Sequence, residues 1–211
     1  MINATNDSKP RELVPAGNHI ATCYSMIHLG TSIEKDQKGN DKLMNKVKIS
    51  WELPTEMRVF DESKGEQPMS ISKDYTLSMY EKANLRKELE GWRGKGFTEE
   101  QAKAFDITVL LGKPCMLNVI HKTSKGGNDY ATINSISSIP KGMTIPKQIN
   151  ANFEFNFTDK FSLQVLDSLP EWLKNKIKES NEYKAINNPQ DQDLTPEYRS
   201  SSLEEPDDLP F

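Results

Sequence analysis

Val47, Ile49, Trp51 and Leu53 alternate with Lys46, Lys48, Ser50 and Glu52. That two-residue period marks a half-buried antiparallel strand, one face in a core and the other in water. Residues 19–29 read as a longer strand, with Ala21, Cys23, Ser25, Ile27 and Leu29 on one face. Ile20, Thr22, Tyr24, Met26 and His28 take the other. Between these two strands, residues 30–42 read as a loop turning at Gly39-Asn40. Residues 54–68 read as a second loop, and residues 69–77 as a third strand.

The period then changes. Ser78 with Glu81 has the spacing of a capping box, and Leu85 and Leu89 continue an apolar helical face that Gly91 and Gly94 end. Thr98 with Gln101 opens a second, short helix running to about Phe105. Gly112-Lys113-Pro114 punctuates the chain before strands over 115–121 and 130–136, joined by a loop containing Gly126-Gly127. The order is three strands, a helical connection and a two-strand hairpin. It predicts a mainly β fold, a five-stranded OB-fold barrel with a helical insertion between strands 3 and 4. An open α+β sandwich has the same order. Beyond Pro140, Phe153, Phe155 and Phe157 alternate with Glu154 and Asn156, the period of an edge strand. A helix from Leu169, with Pro170 in its first turn, puts Trp172, Leu173 and Ile177 on one face. Four regions follow: a flexible arm over 1–17, the barrel over 18–142, a strand and helix appendage over 143–186, and a disordered acidic tail over 187–211.

Composition bears on partners. The 211 residues carry a net charge of −4, which at first argues against nucleic acid. Residues 187–211, however, hold seven acids against Arg199, a local net of −6, leaving the remainder at +2. The body is mildly basic, and the tail hides it. No run of 18 apolar residues occurs, and the first residues lack a signal pattern, so a cytoplasmic protein is expected. Cys23 and Cys115 lie far apart inside apolar runs and read as buried free thiols. With three histidines, no CxxC and no HExxH, no metal or other cofactor is expected. There is no P-loop and no GxSxG nucleophile, so an enzyme is not the expectation; paired carboxylates are plentiful but none stands out.

Binding an unpaired strand needs cations to track phosphates and aromatic faces on which bases stack. On the polar faces these are Tyr24, Lys46, Lys48 and Lys73, with Tyr130 opening the fifth strand beside Lys122 and Lys125. Lys35, Lys38 and Lys42 line the loop between strands 1 and 2. Each has a plainer role open to it, the tyrosines as covers of the core edge and the lysines as solvated surface. Trp51 falls on the apolar face and reads as core; Trp92, in a Gly-rich turn, suits stacking or packing equally.

The chain ends Asp207-Asp208-Leu209-Pro210-Phe211. A terminal ring and carboxylate on one residue suit a small apolar pocket rimmed by Arg or Lys. This tip resembles that of bacterial single-stranded DNA-binding proteins, which implies docking onto replication, recombination and repair enzymes. The body also resembles phage-encoded single-stranded DNA-binding proteins. That likeness covers roughly residues 12–142 and rests on four stretches: Val14-Pro15-Ala16-Gly17; Tyr75-Thr76-Leu77-Ser78; Leu85-Arg86-Lys87 leading to Gly91-Trp92-Arg93-Gly94; and Leu111-Gly112-Lys113-Pro114-Cys115. The expectation is a non-enzymatic protein that coats single-stranded DNA and recruits partners, with homo-oligomers possible. The alternative is an adaptor that captures such enzymes without binding DNA.

Overall fold

The computed structural model describes residues 12–35, 38–158 and 161–187. Strands β1 (Gly17–Lys35), β2 (Asp41–Asp61), β3 (Gly65–Thr76), β4 (Pro114–Thr123) and β5 (Asp129–Ser137) form an antiparallel sheet in the order β3-β2-β1-β4-β5. The fold is mainly β. The sheet curls strongly into a half-barrel because β1 serves two neighbours in turn: residues 17–22 pair with β4 and residues 22–35 with β2. The two ends of the path approach each other, and Lys73 Nζ on β3 donates to the Ile133 carbonyl on β5 at 3.3 Å.

The expected alternation holds on β2, where Val47, Ile49, Trp51 and Leu53 are all buried in the barrel core. On β1 it does not hold throughout. The register slips between Cys23 and Ser25, leaving Tyr24 without a partner residue on β2. Such a bulge reverses which face later side chains take. Ala21, Cys23 and Met26 therefore enter the barrel core, whereas Ile27 and Leu29 turn to the outside and join a second core.

Both expected loops are largely strand. The β1–β2 ladder continues to Lys35 opposite Asp41, and the β2–β3 ladder to Asp61 opposite Gly65. These extensions are two-stranded arms with exposed Ile33, Leu43, Val59 and Phe60. With neither face in a core, they carry no alternation to read. The ladder breaks between Leu53 and Met57, where Pro54 has no N–H to give it.

Helix α1 spans Asn84–Arg93, later than the Ser78–Glu81 spacing implies. Ser78 instead accepts from the Tyr80 amide at 3.3 Å in a turn, and the Ala83 cap makes no side-chain hydrogen bond. Gly91 does not end the helix; left-handed Gly94 does. Leu85, Leu89 and Trp92 insert into the barrel core, and Trp92 Nε1 donates to the Pro114 carbonyl at 2.9 Å. Trp92 is thus packed, not available for stacking. Helix α2 (Glu99–Lys103) opens with the expected Thr98–Gln101 capping box.

Residues beyond the barrel fold back onto it. Strand β6 (Phe153–Phe155) pairs in parallel with Ser25–Ile27 of β1. Helices α3 (Leu163–Asp167), α4 (Glu171–Lys178) and α5 (Asn181–Asn187) follow. Phe155, Leu166, Leu169, Leu173 and Ile177 bury Ile27 and Leu29 in the second core, on the outer side of β1. Among the described residues, no helix is long and apolar enough to cross a membrane.

Candidate nucleic-acid interface

The alternation that sends Trp51 inward sends its neighbours outward. On the outer face of β2 and β3, Lys46 lies opposite Thr76, Lys48 opposite Asp74, Ser50 opposite Ser72 and Glu52 opposite Ser70. Each step along this row is two residues, about 6.6 Å, so Lys48 and Glu52 stand roughly 13 Å apart. Ser50 and Ser72 share a hydrogen bond of 2.8 Å between their hydroxyls. The row therefore has a cation at one end, small hydroxyls in the middle and a carboxylate at the other end.

Its charges are organised by partners. Asp74 bridges Lys48, at 2.7 Å, and Lys176 of α4, at 3.1 Å. Burial pushes the Asp74 carboxyl up, but hydrogen bonds and charge from those lysines outweigh it and hold the carboxyl below the ordinary aspartate value. Two ammonium groups on one carboxylate leave a net positive spot. Glu52, fully buried, accepts from the Ile149 amide at 2.6 Å, the Asn150 amide at 2.7 Å and Asn150 Nδ2 at 2.6 Å. It anchors the segment leading into the appendage to the sheet.

Tyr24, displaced at the bulge, is half-buried and lines a shallow hollow of about 270 Å³ with Phe60, Gln67, Pro68, Ser70 and Asn150. Ser70 belongs to the outer row, so this hollow continues it past Glu52. Phe60 was not singled out by sequence, because it sits in what reads as a loop. Its exposed ring beside Tyr24 is a second aromatic surface at that end.

The other expected residues are scattered. Lys46 is paired with Glu34, and Lys35 with Asp41 at 2.8 Å. Lys38 and Lys42 are exposed near the tip of the β1–β2 arm. Tyr130 lies directly across from Lys122 on the β4–β5 hairpin, with Lys125 exposed at its turn, so those three do come together. Lys73 is corrected: it shares its face with buried Met69, Ile71 and Tyr75, pairs with Glu88 and lies 5.4 Å from the Tyr75 ring centroid. It bridges the open side of the half-barrel, with its side chain 28% exposed, and does not share the outer face with Lys46 and Lys48.

Trp172 is corrected too. Leu173 and Ile177 bury α4, but Trp172 is 58% exposed, its ring centroid 5.3 Å from Lys48 Nζ. Asp207, Asp208, Leu209, Pro210 and Phe211 lie outside the described residues.

Cys23 and Cys115 are buried free thiols. Burial pushes Cys23 up to about 12 and Cys115 well above its ordinary value, which keeps both protonated and unreactive. Among the described residues, no group of three or more His, Cys, Asp or Glu side chains is placed to hold a metal ion. The chain matches no protein-family model and no curated protein sequence.

Proposed function

We propose that the protein binds single-stranded DNA without sequence preference during replication, recombination or repair, and recruits partner enzymes through its acidic C-terminal tip. The reading takes the curled half-barrel as an OB-fold with α1 and α2 as its insertion, and follows the resemblance of residues 12–142 to phage-encoded single-stranded DNA-binding proteins. One observation carries it. The strand order β3-β2-β1-β4-β5 gives an outer β2–β3 row with lysines at one end and aromatic rings at the other, open at Ser70 and Ser72 of β3 while Ser50 and Glu52 of β2 are buried. That is the surface on which such barrels hold oligonucleotides. The β4–β5 hairpin adds the Lys122–Tyr130 pair at a second edge.

The test is an anisotropy titration of a dye-labelled thymidine oligonucleotide with the full-length protein at low and moderate salt, with duplex as control. Binding that is selective for the single strand and weakens with salt is expected. No binding at low salt, with residues 188–211 present or removed, refutes the proposal.

A second reading, an adaptor that captures such enzymes without binding DNA, has one observation in its favour. Lys35, Lys46, Lys48 and Lys73 are each already paired with a carboxylate of the chain, which leaves fewer cations for phosphates. Lys42, Lys122 and Lys125 make no ion pair among the described residues and weigh the other way.

A further inference from the structure

The three tryptophans are not equivalent. Trp51 is 0% exposed and Trp92 6%, both in the barrel core, while Trp172 is 58% exposed. A helix that only needs to cover the second core does so with Leu173 and Ile177. Trp172 stands next to that buried stripe, and Lys176, one turn on, shares its side of the helix. That side faces the outer row of β2 and β3. The Trp172 ring lies against Lys48 Nζ, 5.3 Å from the centroid, and Lys176 Nζ reaches Asp74 Oδ2 at 3.1 Å. A large aromatic ring thus has a cation against it on one side and is left largely in water elsewhere, and that cation shares the Asp74 carboxylate with Lys176.

We infer that Trp172 is a base-stacking platform, lent by α4 to the β2–β3 face, with Lys48 and Lys176 as the phosphate contacts that flank it. The inference rests on the proposed binding of single-stranded nucleic acid and places a contact outside the barrel itself. The exposed indole surface takes an unpaired base of any identity, because every base has a π-face. Asp74 holds the two lysines in position in the free protein, and an incoming phosphate takes its place as partner of one of them. A duplex, whose bases are stacked on each other, offers nothing to the ring. The platform therefore favours single strands.

The test follows both a dye-labelled thymidine oligonucleotide, by anisotropy, and the protein's own tryptophan emission, in the full chain. Oligonucleotide should quench the emission and shield the exposed indole from acrylamide. Trp172→Ala should weaken binding about tenfold or more. Trp172→Phe, which keeps a ring, should bind more tightly than Trp172→Ala while losing the emission change. Lys176→Gln should flatten the salt dependence. Trp172 has no buried role, so circular dichroism and melting should stay as in the wild type, and altered affinity then reports the contact.

If the wild type binds but Trp172→Ala binds equally well, the platform is wrong and the proposed function stands. If the wild type does not bind at all, both fall.

Discussion

Gly91→Ala sets two effects of opposite sign against each other. Within a helix, replacing Gly by Ala is worth about 1 kcal/mol in favour of the folded state. Gly91 lies inside α1, but a Cβ there would stand 2.4 Å from the Ile136 carbonyl oxygen on β5. Ordinary contact begins at 3.4 Å, so helix and strand must part by about 1 Å. Neither side yields easily. The Gly91 carbonyl accepts the Ser138 amide at 3.1 Å, and Leu89 and Trp92 beside it are buried in the barrel core. Overpacking of this kind costs roughly 1–3 kcal/mol or more, and a strained hydrogen bond adds about 1 kcal/mol. The clash wins, by about 1–3 kcal/mol after the propensity gain is subtracted. Thermal melts followed by circular dichroism should show Tm lower by roughly 3–10 °C. Gly96→Ala, whose Cβ would meet nothing nearer than 3.8 Å, is the control and should leave Tm nearly unchanged. A Gly91→Ala protein that melts at or above wild type would mean that α1 does not pack on β5 as described.

Two further outcomes follow from the structure and a third from the charge of residues 188–211. The Asp74 carboxyl is held below its ordinary value of 3.8, so its stabilising effect is present above that pH and fades as pH falls through the lowered value. Asp74→Asn should therefore cost up to about 1 kcal/mol in urea melts at neutral pH and nothing in strong acid. It should also tighten oligonucleotide binding and steepen its salt dependence by about 0.7 per lysine released; unchanged affinity would remove Lys48 and Lys176 from the interface. At Gly30, with φ +78°, a Cβ would stand 2.5 Å from Ser180 Cβ and 2.7 Å from Glu182 Oε2. Gly30→Ala should make residues 143–187 more sensitive to limited proteolysis while the barrel persists, and equal protection would refute the docking of α5 on β1. Removing residues 188–211, which carry the −6, should raise low-salt affinity for the oligonucleotide; no change would show that the tail does not compete with DNA.

What the sequence made legible were the surfaces that a core polarises. Val47 to Leu53 announces its strand because one side chain in two is buried, and Thr98–Gln101 announces a helix because two local hydrogen bonds suffice. The arms ending at Lys35 and Asp61 were illegible for the opposite reason: with water on both faces, nothing forces apolar and polar residues to alternate. Lys46 and Lys48 could be assigned an outward direction, yet the residues waiting there, Glu34, Asp74 and Trp172, come from elsewhere in the chain. Lys73 misled because the strand's own period places it inward, where a lysine is unexpected until Glu88 is seen beside it. Trp172 misled because an aromatic residue next to Leu173 reads as part of the same buried stripe.

The pairing of β6 with β1 also has a consequence in time. Ile27 is covered by Phe155, roughly 130 residues later in the chain. At about 5–20 residues per second of synthesis, the outer side of β1 stays bare for roughly 6–25 s after it emerges. The first core draws on no residue beyond β5, so a nascent chain can have every part of the half-barrel core in hand with Ile27 and Leu29 still uncovered. That interval is when a chaperone, or a second nascent chain on the same message, has its best access to this protein.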